Sequence, residues 1–214
     1  MTDETMVSPV LAENIKYCSV LLGNLLLQKP DSPDVQILLE ELRQLESLDT
    51  WPFGDEEDID DAFQNMKASL FPEIAKNDLL DDYQQLFIGP FSLKAPPWGS
   101  AYLDYEGVVF GSSTLSLRAW LRDNGITSAA ADNEPEDHVG LLLLLLAWLA
   151  DERPDLVVDF LAEHFLPWAP RFCELMATGA KTPFYQGLAA LTTTTLEGMK
   201  SELGITPVSC NLYR

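Results

Sequence analysis

The feature that most constrains this chain is an uninterrupted apolar run from Val139 to Ala150, which contains consecutive leucines from Leu141 to Leu146 and is bracketed by His138 and Asp151. Crossing a bilayer core of ~30 Å takes about 20 residues. The run is too short for that and reads as a helix buried inside protein, so the rest of the chain must supply apolar faces to cover it.

Those faces are present. Ser8-Pro9 is a cap followed by proline at the first helical position, and Leu11, Ile15, Cys18, Leu22, Leu25 and Leu26 then recur at helical spacing, which predicts a first helix to about Gln28. Ser32-Pro33 repeats the start signal, with Val35, Leu38, Leu39, Leu42 and Leu45 as the stripe and Asp49-Thr50-Trp51-Pro52 as the break. A third helix is expected over Ile59 to Leu70, and a fourth after Pro72 until Gly89-Pro90 ends it. From Pro90 to Gly111 the texture changes to an ordered loop rich in proline and aromatics, with a short extended turn. Helices resume at Ser113 to Asn124, closed by Gly125, and again from Asn133 to near Asp151; Pro154, Pro167 and Thr182-Pro183 open three more segments. The expected fold is all-α, a multi-helix bundle forming one domain over residues 1–214.

Composition narrows the partners. Acidic residues number 34 against 13 basic ones, a net charge of −21, which argues against nucleic acid and favours cations or basic peptides. The densest block, Asp55, Glu56, Glu57, Asp58, Asp60 and Asp61, reads first as a solvated face. Cys18, Cys173 and Cys210 are an odd, widely spaced set with no metal-ligand rhythm, so neither a disulfide framework nor a structural zinc is expected. The start Thr2-Asp3-Glu4 lacks a secretory n-region, and no transmembrane segment is expected; a reducing cytoplasm fits best.

Chemistry is concentrated at Asn133-Glu134-Pro135-Glu136-Asp137-His138. With Asn133 as N-cap, Pro135 falls in the first turn and Glu136 takes the capping-box position. Helical counting then puts Glu134, Asp137 and His138 on one stripe with Leu141, Leu145 and Trp148. A carboxylate at the rim of an apolar groove can take an arginine guanidinium bidentately, worth about 1.5–3 kcal/mol as a charged hydrogen bond. The plainer alternative is that Asp137 steadies the positive end of its own helix and His138 is packed. Catalysis by Asp137 and His138 with His164 stays open as a hydrolase reading, although no serine elbow, HExxH pair, P-loop or dinucleotide fingerprint occurs; no catalytic residue, metal or cofactor is assigned. Tyr83, Leu86 and Phe87 share one helical face and by themselves read as core.

Taken together, Tyr83-x-x-Leu86-Phe87-x-Gly89-Pro90, Pro96-Pro97-Trp98-Gly99-Ser100 and Glu134-Pro135-x-Asp137-His138 resemble the TorD/DmsD family of redox-enzyme maturation chaperones, its DmsD branch most. The likeness runs from about Tyr83 to Tyr185. It implies a non-enzymatic cytoplasmic chaperone for the twin-arginine signal peptide of a molybdopterin-dependent reductase of the dimethyl sulfoxide reductase kind, acting before Tat export. By position it implies peptide contacts from Tyr83, Leu86, Phe87, Pro97, Trp98, Asp137 and His138, with Phe91, Tyr102, Gly111 and Glu134 as further candidates. It also implies a monomer or domain-swapped dimer, and leaves contact with Tat export components open. An acidic helical adaptor for some other basic segment is the third reading.

Overall fold

The computed structural model describes residues 7–70, 75–90, 92–106, 110–127 and 134–214. Ten α-helices occur among them: α1 Pro9–Leu27, α2 Pro33–Gln44, α3 Glu56–Ala68, α4 Ala75–Tyr83, α5 Ser100–Leu103, α6 Ser112–Asp123, α7 Val139–Glu152, α8 Val157–Phe160, α9 Ala169–Gly179 and α10 Pro183–Glu202. The described residues contain no named strand, so the all-α expectation holds, and most helix limits lie within a turn of those the sequence predicts. Two features lie outside the periodicity. The helical path continues past α4 as a π-helical turn, Gln84–Ile88, and past α8 as another, Leu161–Phe165. Each holds one residue more than an α-turn, an arrangement found frequently at functional sites.

The chain divides into two compact units, one made of residues 1–23, 97–169 and 200–214, the other of residues 24–96 and 170–199. In the first unit the leucine run forms α7, with Val139, Leu142, Leu143, Leu146 and Leu149 fully buried. Gly23 lets α1 approach it closely, since a Cβ there would stand 3.1 Å from the Gly140 carbonyl oxygen and 3.0 Å from Leu144. Helix α1 is long and apolar enough to cross a membrane by length and composition, a property the sequence reading did not assign to it. Its Ile15, Cys18 and Leu22 are nevertheless fully buried while Val10, Tyr17 and Val20 are exposed, the two-faced pattern of a helix packed on protein. The C-terminal segment binds back onto this unit, with the Val208 N–H donating to the Ala162 carbonyl (2.9 Å) and the Tyr213 N–H to that of Tyr102 (2.9 Å).

In the second unit Asp82, on α4, caps the start of α10: its Oδ2 accepts from the backbone N–H groups of Lys181 (2.9 Å) and Thr182 (2.8 Å) and from the Thr182 hydroxyl (2.7 Å). The acidic block lies at the N-terminus of α3, where Glu56, Glu57 and Asp58 complement the helix dipole. Helix α10 crosses α3 at Gly187, where a Cβ would collide with the Ala62 carbonyl and come within 2.8 Å of Met66. Gly187→Ala is therefore expected to destabilise the fold by about 1–3 kcal/mol through overpacking, read as a lowered Tm in thermal unfolding followed by circular dichroism; an unchanged Tm would show that the two helices can separate at no cost.

Candidate functional site

Within the first unit, two segments about forty residues apart in sequence are zipped together. The Val139 N–H donates to the Pro97 carbonyl (2.7 Å) and the Gly99 N–H to the Asp137 carbonyl (3.0 Å), making an isolated antiparallel bridge between Trp98 and His138. This corrects the expected helix start. Asn133 lies outside the described residues, and Pro135 opens a turn closed by the His138 N–H on its carbonyl (3.2 Å). Helix α7 begins only at Val139, with His138 as its N-cap: the imidazole Nδ1 accepts the Gly140 N–H at 3.1 Å. Glu136 is no capping-box acid, since both its oxygens take the Arg118 Nε–H at 2.8 Å. Because Glu134, Asp137 and His138 precede the helix, the stripe they were expected to share with Leu141, Leu145 and Trp148 does not exist, and Trp148 is exposed.

Each side chain at the bridge has a specific partner. Trp98, half-buried, donates its indole N–H to Glu134 Oε1 (2.7 Å) and meets the His138 ring edge-on at 6.2 Å, above the buried Pro97. Asp137 is 3 % exposed, and its Oδ2 accepts the Ser100 N–H at 2.7 Å, capping α5 rather than its own helix. Asp137 Oδ1, Ser100 Oγ and Thr114 Oγ1 are buried with no well-aligned hydrogen bond. Burial pushes the Asp137 carboxyl above the usual carboxylate range, opposed by the Ser100 N–H and by the Ser100 and Thr114 hydroxyls. Burial likewise lowers His138 to about 3, so its ring is neutral at pH 7, as an N-capping imidazole acceptor must be. Asp137 and His138 thus direct their hydrogen bonds to separate backbone N–H groups, and the pair is not arranged as a hydrogen-bonded dyad.

The other sequence candidates are structural in their immediate surroundings. Tyr102 is fully buried, stacked on Trp168 at 5.4 Å. Gly111 precedes α6 where a Cβ would collide with Asp104, whose carboxylate accepts from both the N–H and the hydroxyl of Ser112 and of Ser113. Tyr83, Leu86 and Phe87 belong to the second unit and are at most 2 % exposed: the Tyr83 hydroxyl donates to the Leu27 carbonyl (2.8 Å), and Phe87 packs edge-on against Tyr83 and Tyr185 at 5.1 and 5.8 Å. They present almost no surface to a peptide, in keeping with their spacing read alone. Phe91 lies outside the described residues. The sequence reading did not single out Ser100, Thr114 or Arg118, whose roles depend on distant partners. Among the described residues no group of three or more histidine, cysteine, aspartate or glutamate side chains could hold a metal ion.

The neutral imidazoles set the pH response of the fold. Between the ordinary histidine value of 6.5 and the folded value of about 3, the unfolded chain protonates His138 while the folded chain refuses the proton, so this contribution to stability is full above pH 6.5 and is lost as pH falls toward 3. His164, lowered to about 4 by burial, acts in the same direction; Asp137, raised, acts in the opposite one, because its folded form holds a proton above the ordinary value of 3.8. Tm is expected to fall from pH 7 to pH 4.5. His138→Asn keeps a capping acceptor and is expected to remove about 1.4 kcal/mol per pH unit of that slope. Urea unfolding of both proteins at several pH values measures it, and an identical slope would refute the buried neutral ring.

Comparison with known proteins gives a consistent picture. The sequence profile of the nitrate reductase delta subunit family matches residues 54–174. The Tat proofreading chaperone DmsD of Salmonella typhi is 42 % identical over 190 residues, covering 88 % of this chain and 90 % of that protein. The probable Tat proofreading chaperone DmsD of Haemophilus influenzae is 39 % identical over 202 residues, 94 % of this chain and 98 % of its own length. A solved structure described as that of a redox enzyme maturation protein from Archaeoglobus fulgidus shares the fold with a TM-score of 0.52 at 17 % identity, covering 86 % of this chain and 93 % of its own. The chain belongs to the nitrate reductase delta subunit family and, within it, to the DmsD branch of the TorD/DmsD redox-enzyme maturation chaperones.

Proposed function

We propose that this protein is a cytoplasmic chaperone that binds the twin-arginine signal peptide of a molybdopterin-dependent reductase, of the dimethyl sulfoxide reductase kind, and shields it until the cofactor is in place and Tat export can begin. The observation that carries this reading is Asp137: a buried carboxylate with one oxygen lacking a well-aligned partner, held by backbone pairing beside a half-exposed tryptophan and a neutral imidazole. A twin-arginine signal is a basic pair followed by an apolar stretch. Asp137 and Glu134 suit the first part, Trp98 and the ring of His138 the second.

The DmsD relatives, named Tat proofreading chaperones, support a client that leaves by the Tat pathway. A chain at −21 draws a basic leader in electrostatically, chiefly as an on-rate effect that salt weakens. Tyr83, Leu86, Phe87, Pro97, Tyr102 and Gly111 then act mainly by building the scaffold, while Trp98, Glu134, Asp137 and His138 meet the peptide. No step of this activity needs turnover.

Titration calorimetry with a synthetic leader carrying Arg-Arg before an apolar stretch tests the reading. Micromolar or tighter binding is expected, lost when both arginines become alanine; equal binding of the two peptides would overturn it. Asp137→Asn keeps an acceptor for the Ser100 N–H but removes the charge, and is expected to weaken binding by about 1.5–3 kcal/mol with helicity retained. The wild-type protein is expected to hydrolyse neither GTP nor generic esters above background.

A further inference from the structure

A second buried imidazole, His164, has no use in the capping and pairing described above. Its side chain is 8 % exposed and lies in the π-helical turn Leu161–Phe165, edge-on to Trp120 at 5.3 Å. Its Nε2 is buried without a hydrogen-bond partner. An unsatisfied buried nitrogen in a native fold calls for an explanation.

His164 lines a cavity of about 160 Å³ whose wall also includes Asp137, Glu163, Ser113, Ser116 and Leu117, all within the first unit. His164 carries a buried polar atom without a hydrogen-bond partner, Nε2, and Asp137 a carboxylate that the Ser100 and Thr114 hydroxyls also approach. The residues around it carry two carboxylates, an imidazole and hydroxyls. That donor set repels anions, and among the described residues it makes no metal cluster. That volume holds several waters, and suits a planar group of four heavy atoms and the start of its methylene stem better than a nucleotide or a folded segment. A lysine ammonium would bring three donors from one point; a guanidinium brings five in a planar fork, the better match to acceptors spread around a wall.

The cation that the chain itself brings nearby does not fill this role. Arg118 feels the charge of Asp137, yet its Nε–H is committed to Glu136. Glu163, with a side chain 53 % exposed, stands 4.0 Å from His164 Nε2, a contact that becomes an ion pair only if the ring is protonated. Burial keeps the ring neutral at pH 7, so Nε2 can serve as an acceptor.

Resting on the signal-peptide reading above, we infer that this cavity seats the guanidinium of one of the two arginines, held by Asp137 Oδ1, Glu163 and His164 Nε2, which makes Glu163 and His164 residues that determine specificity for arginine over lysine. Because Oδ1 and Nε2 are closed to solvent in the free protein, entry is accompanied by small rotations of these side chains.

The test is calorimetric titration of wild type, Glu163→Gln and His164→Gln with leaders carrying Arg-Arg, Lys-Arg and Arg-Lys, each variant first checked for native helicity. Wild type is expected to lose about tenfold or more in affinity for one of the two single-lysine peptides. Each variant is expected to bind the Arg-Arg peptide about five- to tenfold more weakly and to lose most of the discrimination at that same position. The inference is overturned if wild type accepts both single-lysine peptides equally, if the variants keep wild-type affinity and preference, or if they weaken all three peptides alike. Glu163, on the surface, keeps the test decisive should His164→Gln fail to fold. A wild-type protein that does not distinguish Arg-Arg from Ala-Ala overturns the signal-peptide reading itself, and this inference with it; discrimination that survives in both variants overturns the inference alone.

Discussion

The candidate site depends on two backbone hydrogen bonds, Val139 N–H to Pro97 O and Gly99 N–H to Asp137 O. They fix the segment before α7 against the segment before α5, and every other contact at the site follows from that registration. Once the strands are paired, Asp137 faces the bare N–H of Ser100, His138 faces that of Gly140, and Trp98 lies within reach of Glu134. Helix ends leave N–H groups unsatisfied, so two short polar side chains at adjacent positions can cap two different helices only if those helices begin side by side. The pairing supplies that condition.

Much of the fold is legible in the sequence because proline and glycine punctuate it. Pro9, Pro33 and Pro183 each stand at the first position of a helix, and Gly125 and Gly204 adopt positive φ just past a helix end. The phase of α7 is not legible. Leucines at every position of a run carry no period, so the run marks a buried helix without saying where it starts, and Asn133 with Glu136 offered a cap consistent with local rules alone. The true cap is decided by a tertiary hydrogen-bond pattern involving Pro97, forty residues upstream. Counting a stripe from the wrong start then assigned Asp137 and Leu141 to one face, although one precedes the helix and the other lies in it. The π-helical turns are hidden for a related reason: one inserted residue shifts the period by less than a short window can resolve.

The motifs that carry the family resemblance mix two kinds of constraint. Tyr83-x-x-Leu86-Phe87 is a packing device, with a hydroxyl tied to the Leu27 carbonyl and rings set against Tyr185 and Phe172. Asp82 beside it caps α10 through three hydrogen bonds. The other two motifs, by contrast, meet at one place. A shared motif therefore identifies the family without distinguishing the residues that build its scaffold from those that meet a ligand.

Under the proposed function, the carboxyl and the imidazoles at this place shape how a cation would be recognised. Burial raises the Asp137 carboxyl and lowers both His138 and His164, so in the free protein desolvation holds all three groups toward their neutral forms. Two neutral imidazoles leave the nearby carboxyl without a competing fixed positive charge from their rings, and Arg118 is already paired with Glu136. Under the proposed function, an arriving guanidinium would offset the effect of burial on Asp137, because a nearby positive charge favours the carboxylate that burial disfavours. An apolar peptide segment by itself, however well it suits Trp98, would bring no such charge. On that reading, selectivity for a basic pair ahead of an apolar stretch would follow from this coupling.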